Sequence, residues 1–540
     1  MKKLKLLVVI ILTSLGVQAQ DLAPGVYWIY FSDKEGNSYQ IDQPAQFLSE
    51  RSVNRRAMQG LAVDNRDLPV SSAYLNEIEA MGVEIKHVSR WLNGIAMVQM
   101  HDTTFQKILL LPFTDTVAWE PAMDELYFPQ KSGQARFNPP LESPPAFNYG
   151  VAREQVEQVR TSGLHDLGYT GSGVWIGVLD AGFYNVDSLP SFIPLIDEGR
   201  ILGTRNYVNE SSIYRQSSSH GMSVLSIMAG EWDGNMMGTA PHASYLLCMT
   251  ENSDQETRIE EIAWIEAAEY ADSLGVDVIN TSLGYSNFDG VIYDYTYADM
   301  DGLSTYISRA ASLTASRGII LCNSAGNEGN DDWFYITAPA DATDILCVGA
   351  VDSTNLLASF SSRGPSYDAR IKPDITAMGR ASGVQHRSGG LARGNGTSFA
   401  SPVMTGSVAA LWQAFPELPA IDLMRKIRQS AHRSMNPDVS YGFGTPNMLY
   451  AYHTITRIPV HFSSGKMEVW PNPAGEHITI KISESGEQLV RIYDLNGRVI
   501  FSRQMQLPGE MALPETLNSG IYIIEIRTTG NIYRSRLLKQ

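Results

Sequence analysis

The sequence predicts an α/β protein organised on a parallel sheet, with a small α+β unit before that sheet and a β-sandwich after it. Three observations predict this. In the middle of the chain, apolar runs without strict alternation, VWIGVLD (174–180), VDVIN (276–280), GIILCNSAG (318–326) and ILCVGAV (345–351), are separated by amphipathic helical stretches. Strands buried on both faces and joined by helices imply crossover connections, hence parallel pairing, with sites at the carboxyl ends of the strands. Before this region, short strands such as VYWIYF (26–31) and GIAMVQM (94–100) alternate with a helix candidate at Ala73–Met81. After it, HITIKI, LVRIYDL, RVIFSR, GIYIIEI and YRSRLLK alternate apolar and polar residues between Asn-Gly and Ser-Gly turns, the pattern of a half-buried antiparallel strand set.

The 540 residues exceed what one core usually organises, so several units are expected. Breaks fall where proline interrupts the pattern. One is the segment Pro129–Pro145, a linker; another is marked by Pro471, Asn472 and Pro473. At the N-terminus, Lys2, Lys3 and Lys5 precede the apolar run Leu6–Leu12 and the small-residue ending Val17-Gln18-Ala19, the three-part form of a secretory signal peptide cut after Ala19. No later apolar run reaches spanning length, so no transmembrane segment is expected after signal removal.

A formal charge of −17, from 41 Lys and Arg against 58 Asp and Glu, sets the average field against a phosphate backbone and argues against nucleic acid as partner. Three cysteines in an exported chain cannot form a fully paired framework. Cys322 and Cys347 both fall in apolar strand runs, where two buried thiols are expected ahead of one bridge, which stays open.

Four features fall at strand ends or helix starts of the middle region. Asp180 ends the strand in VLDAGF (178–183). His220 opens a helix in SSHGMSVLSIMAG (218–230). Asn327 follows a buried strand in NSAGNEG (323–329). Ser398 stands at the start of a small-residue helix in NGTSFASPVMTGSVAAL (395–411), after Gly394, Gly396 and Thr397 and with Pro402 expected in the first turn. Singly, each reads as a turn or capping residue. Jointly, an Asp, His and Ser in this order at the carboxyl end of a sheet, with a helix N-terminus behind the Ser, make a nucleophile, a base, an orienting acid and a positive end suited to developing negative charge.

On these residues, together with GTAP (238–241), INTSLG (279–284), SFSSRGP (359–365) and KPDITAMG (372–379), the middle region resembles the subtilisin-like serine peptidases (subtilases) over about three hundred residues. The resemblance implies a secreted serine endopeptidase acting through an acyl-enzyme. In it Ser398 would be the nucleophile, His220 the base, Asp180 the residue that holds the base, and Asn327 an oxyanion donor. It also implies that Ser282, Leu283 and Gly284 form one wall of the substrate cleft and Ala325 and Gly326 the other, with Tyr335–Ala340 closing the pocket for the side chain before the cut. No cofactor is implied for the chemistry. The family often carries structural calcium, and Asp233 and Asn235 lie in a loop that could contribute oxygens. Two departures stand out: Ala181 where a Ser or Thr is common after the Asp, and Met222 where a Thr is common after the His. They leave the triad intact and bear on its efficiency.

With the middle region assigned, the N-terminal unit resembles the family's propeptide, an intramolecular inhibitor of a zymogen. The C-terminal unit, through WPNPAGEHITIKI (470–482), IYDLNGRVI (492–500) and LNSGIYIIEI (517–526), resembles the sorting domain of the type IX secretion system. The expected limits are 1–19 for the signal, 20–148 for propeptide and linker, 149–456 for the catalytic domain and 459–540 for the sorting domain. Two other functions fit part of the pattern: a catalytically silent binding scaffold, and an esterase or peptide ligase sharing the same acyl-enzyme.

Overall fold

The structure is a computed structural model and describes residues 25–98, 102–121, 147–209, 211–289, 293–456, 467–482, 485–493, 499–514, 517–527 and 532–539. The expected signal peptide and the Pro-rich segment Pro129–Pro145 lie outside the described residues. The chain divides into two compact units, Met1–His453 and Thr454–Gln540.

The larger unit is built on a seven-stranded sheet. From one edge its order is Ile375–Met378, Leu346–Val351, Ile320–Ser324, Val278–Thr281, Trp175–Asp180, Ser244–Met249 and Ile201–Asn206. Every pairing in it is parallel. Strands from Val278–Thr281 to Ile375–Met378 are buried throughout, which explains why their sequences show no alternation. Helices His220–Ala229, Arg258–Leu274 and Tyr306–Ser316 supply crossovers, and Thr397–Ala414, which follows the last strand of the sheet, packs on its face. Arg258–Leu274 starts at a Thr257/Glu260 capping box and stops at Gly275, whose φ of +92° ends the helix in the left-handed region.

The same unit carries a four-stranded antiparallel sheet in the order Ile85–Ser89, Gly94–Val98, Gly25–Phe31, Thr114–Pro121, with helices Glu50–Met58, Ser72–Glu79 and Asp102–Leu109. Trp28 and Ala96 of this sheet bury themselves with Ile262, and Tyr30, Ile259 and Tyr306 close the contact, so the sheet lies on helices Arg258–Leu274 and Tyr306–Ser316. Around this apolar contact charged side chains pair across the boundary in both senses. Asp272, fully buried, accepts from Arg55 at 2.5 Å, Arg56 at 2.7 Å and Arg90 at 2.6 Å, and His87 meets Glu266 at 2.6 Å. In the opposite sense Asp67 holds Arg317 at 2.9 Å. Burial works against the charge of Asp272, but Arg90, Arg55 and Arg56 outweigh it and hold its pKa below the ordinary carboxylate range.

The smaller unit has two antiparallel sheets, Glu468–Trp470, His477–Lys481 and Gly509–Ala512 in one, and Val499–Leu507, Gly486–Tyr493, Gly520–Arg527 and Ile532–Lys539 in the other. Ile478, Ile480, Val490, Ile492, Ile524 and Leu537 fill the space between them, the inward half of each alternating strand. Among the described residues no helix is long and apolar enough to cross a membrane.

The three cysteines are free and buried. Cys322 is the register partner of Leu346, so Cys347, one residue further on, points to the opposite face of the sheet. The bridge left open by the sequence is therefore not made.

Candidate active site

Asp180 is the last residue of strand Trp175–Asp180 and is 2% exposed. His220 is the first residue of helix His220–Ala229, and its Nδ1 donates to Asp180 Oδ1 at 2.7 Å. Gly221 makes that approach possible: a Cβ there would meet Gly182 O at 2.7 Å and Asp180 Cβ at 2.9 Å, so any larger residue would push the helix start off the strand end. Ala181 contributes its backbone N–H to Asp180 Oδ1 at 2.7 Å, while Asp180 Oδ2 is buried without a hydrogen-bond partner. Met222 is fully buried in the helix that carries His220.

Ser398 is the second residue of helix Thr397–Ala414. Its Oγ donates to Ser282 O at 3.1 Å instead of to His220, and Ser282 Oγ donates back to Ser398 O at 2.9 Å. The second bond depends on Pro402. The sequence suggested Pro402 in the first turn, but it is the sixth residue of the helix, inside its second turn. Having no N–H, it leaves the carbonyl of Ser398, four residues back, without its helical donor, and the Ser282 hydroxyl takes that place. Asn280 supports the same joint: its Nδ2 donates to Ser282 Oγ at 3.0 Å, and its Oδ1 accepts from Ser401 at 3.1 Å and Thr405 at 2.9 Å.

Asn327 follows strand Ile320–Ser324. Its Oδ1 accepts from the backbone N of Thr397 at 2.9 Å and from Thr397 Oγ1 at 3.1 Å. Fixing the oxygen in this way leaves the Nδ2 donors uncommitted beside the helix N-terminus. Ser282, Leu283 and Gly284 continue strand Val278–Thr281, and Ala325 and Gly326 continue the adjacent strand, so both expected walls stand at one end of the sheet with Asp180, His220, Asn327 and Ser398.

Beside His220 lies a cavity of about 380 Å³ lined by Asp180, Ala181, Glu251, Glu256, Glu260 and Leu283 among others. Glu251, two residues past strand Ser244–Met249, was not singled out from the sequence, although its place at a carboxyl strand end was a signal. Burial pushes its carboxyl up to about 7, against the hydrogen bonds from Tyr285 and Thr250. Burial and the neighbouring Glu251 push Glu256 up to about 8. For His220, desolvation opposes the charged form, but the charge of Asp180, its hydrogen bond and the charge of Glu251 outweigh it and raise the imidazole pKa. The sequence also passed over Asn280 and the pairing of Thr397 with Asn327, because their partners are distant in the chain.

Asp233 and Asn235 stand in the loop named above as a possible source of calcium oxygens. Asn235 Nδ2 donates to Asp233 O at 3.0 Å and its own carbonyl accepts from Val151 at 2.9 Å. Among the described residues there is no cluster of three or more His, Cys, Asp or Glu side chains placed to hold a metal.

Comparison with known proteins agrees with this architecture. Residues 171–445 match the profile of the subtilase family, residues 26–136 that of the Peptidase S8 propeptide domain of Bacteroidota, and residues 468–540 that of the secretion system C-terminal sorting domain. Subtilisin E of Bacillus subtilis (strain 168) is 29% identical over 302 residues, covering 54% of this chain and 69% of that protein. Serine protease AprX of the same organism is 28% identical over 311 residues, 52% of this chain and 66% of that protein. Among solved structures, the prenylagaramide maturation protease PagA aligns at 24% identity and a TM-score of 0.43, covering 54% of this chain and 97% of that one. The sorting-domain match indicates export by the type IX route, to the cell surface or beyond it. The subtilase profile spans half of the chain and encloses every residue of the candidate site: the chain belongs to the subtilase family of serine endopeptidases, made with a propeptide domain and a secretion sorting domain.

Proposed function

We propose that the protein cuts peptide bonds through an Asp180/His220/Ser398 triad and an acyl-enzyme, with Asn327 and the backbone N–H of Ser398 as oxyanion donors. The observation that carries this reading is the 2.7 Å bond from His220 Nδ1 to a buried Asp180 in the cleft where Ser398 opens a helix. Ser398 Oγ turns from Ser282 O, attacks the substrate carbonyl and passes its proton to His220 Nε2. The imidazolium is stabilised by Asp180, and the oxyanion by donors already fixed in place by Thr397 and the helix start. His220 then gives the proton to the leaving amine. A water, deprotonated by the same His220, releases the acyl group and returns the hydrogen to Ser398. Ser282–Gly284 and Ala325–Gly326 present backbone on either side of an extended peptide.

In this proposal the chain is a zymogen with limits at 1–19, 20–148, 149–456 and 459–540. The N-terminal domain is its own inhibitor, and its cut falls near Phe147–Val151. The chemistry uses the chain's own side chains, and no calcium is assigned to it.

A fluorophosphonate probe and a casein digest test the proposal together. The matured protein is expected to be labelled at Ser398 and to release new peptide termini, and Ser398→Ala to lose both. Unlabelled Ser398, undiminished proteolysis by Ser398→Ala, or hydrolysis of simple esters without new termini would each overturn it. Asn327→Ala is expected to lower turnover by about 10²–10³-fold, the usual cost of one such donor.

A further inference from the structure

Three backbone segments frame a slot beside Ser398. Two are the walls Ser282–Gly284 and Ala325–Asn327, and the third, Ile336–Ala338, spans both. Thr337 N donates to Ala325 O at 3.3 Å, while Ala338 and Tyr285 exchange N–H···O bonds at 2.8 and 3.0 Å. Thr337 is thereby pinned between the walls. Its Oγ1 fills the space they leave: a Cβ on Gly284 would lie 2.1 Å from it, and a Cβ on Gly326 3.0 Å from it. With a carbon–carbon bond of about 1.5 Å, Thr337 Oγ1 is within about 3.6 Å of the Gly284 Cα and about 4.5 Å of the Gly326 Cα. Atoms in contact sit about 3.5–4 Å apart, so no aromatic ring can enter between walls already touched by this oxygen.

Two further observations bear on the same atom. Thr337 is 1% exposed and its Oγ1 is sealed off from solvent, so the space between the walls is already filled. Around it, Ser362 Oγ and Glu328 Oε2 lie 2.7 and 2.5 Å from the same Gly326 Cβ position, and Ser362 donates to Glu328 at 2.8 Å, which makes the floor polar. The open cavity beside His220 takes in Ser282 and Leu283 but not Gly326 or Thr337.

We propose that Thr337 sets the specificity of the cut, admitting only a small residue on the acyl side of the bond and excluding large apolar side chains. The proposal rests on the peptidase reading above. A peptide whose carbonyl lies at Ser398 and Asn327, paired along Ser282–Gly284 as an added strand, turns the side chain of that residue into this slot.

The test uses the matured enzyme and internally quenched peptides identical except for Ala, Ser or Phe before the cut. The wild type is expected to favour Ala and Ser over Phe by at least about tenfold in kcat/KM, within the 10–200-fold that a pocket discriminates by size. Thr337→Gly is expected to raise the Phe/Ala ratio by at least about tenfold as the slot opens. The near-isosteric Thr337→Val keeps the bulk, so Phe is expected to stay excluded. An enzyme that is labelled at Ser398 yet cuts the Phe peptide as well as the Ala peptide, or whose Phe/Ala ratio is unmoved in Thr337→Gly, overturns the pocket assignment alone. Absence of both labelling and cleavage overturns the peptidase reading and this inference with it.

Discussion

The His220 imidazole donates from Nδ1 to Asp180 Oδ1 at 2.7 Å, with the carboxylate 2% exposed and the imidazole side chain 36% exposed. A buried acceptor on one nitrogen and an open cleft on the other fix the tautomer that leaves Nε2 free to take a proton. Asp180→Asn offers an amide in place of an acceptor-only group and stabilises the wrong tautomer. It is expected to lower kcat by about 10⁴-fold with little change in KM, read by steady-state kinetics on a peptide substrate.

The pH profile follows from the same pair. In the proposed mechanism His220 must be neutral to act as base, so activity is expected to rise with pH through its pKa. Because Asp180 and Glu251 raise that pKa over the opposing desolvation, the acid limb is expected above the ordinary imidazole value of about 6.5. Glu251→Gln removes a negative charge that favours the imidazolium, so the limb should move to lower pH. An unshifted or upward-moving limb in kcat/KM against pH would show that Glu251 does not act on His220.

Asp272 joins the propeptide domain to the catalytic domain through Arg55, Arg56 and Arg90, with all four side chains nearly or wholly buried. Asp272→Asn leaves these guanidinium groups without their shared anion. In the uncleaved Ser398→Ala chain it is expected to destabilise the larger unit by about 3–5 kcal/mol, the cost of breaking a buried ion pair from one side, measured by urea unfolding. Mutation of an exposed pair such as Arg425 and Asp422 should change the midpoint far less.

Each cysteine is buried and its thiol is pushed up to about 12 by that burial. Native protein is expected to give no reaction with a thiol reagent near neutral pH, and denatured protein three equivalents. Reducing agent should leave the thermal midpoint unchanged. Fewer than three thiols after denaturation without reductant would contradict the free assignment.

The fold class was legible because burial writes itself into local composition. The inner strands of the parallel sheet carry apolar runs since both their faces are covered, whereas the edge strand Ile201–Asn206 is partly exposed and does not, and the C-terminal strands alternate since one face is not covered. The site was legible for a related reason: strand ends and helix starts are marked by local residues, and Asp180, His220, Asn327 and Ser398 each stand at one. Pro402 shows the limit of such reading. A proline near a helix start suggested a first-turn position, whereas its use in the second turn frees the Ser398 carbonyl for Ser282, which lies 116 positions before Ser398 in the chain.

By itself the sequence determined the order of the three structural units, the buried character of the central strands and the identity of the four residues gathered at their ends. Only the tertiary structure decided which groups face one another across loops: Thr397 against Asn327, Glu251 near His220, Arg55, Arg56 and Arg90 around Asp272, and Thr337 in the slot between Gly284 and Gly326. The reason is physical. Periodicity and chain-local signals fix how a segment folds, but a hydrogen bond, an ion pair or a filled pocket between segments depends on distances that packing alone sets.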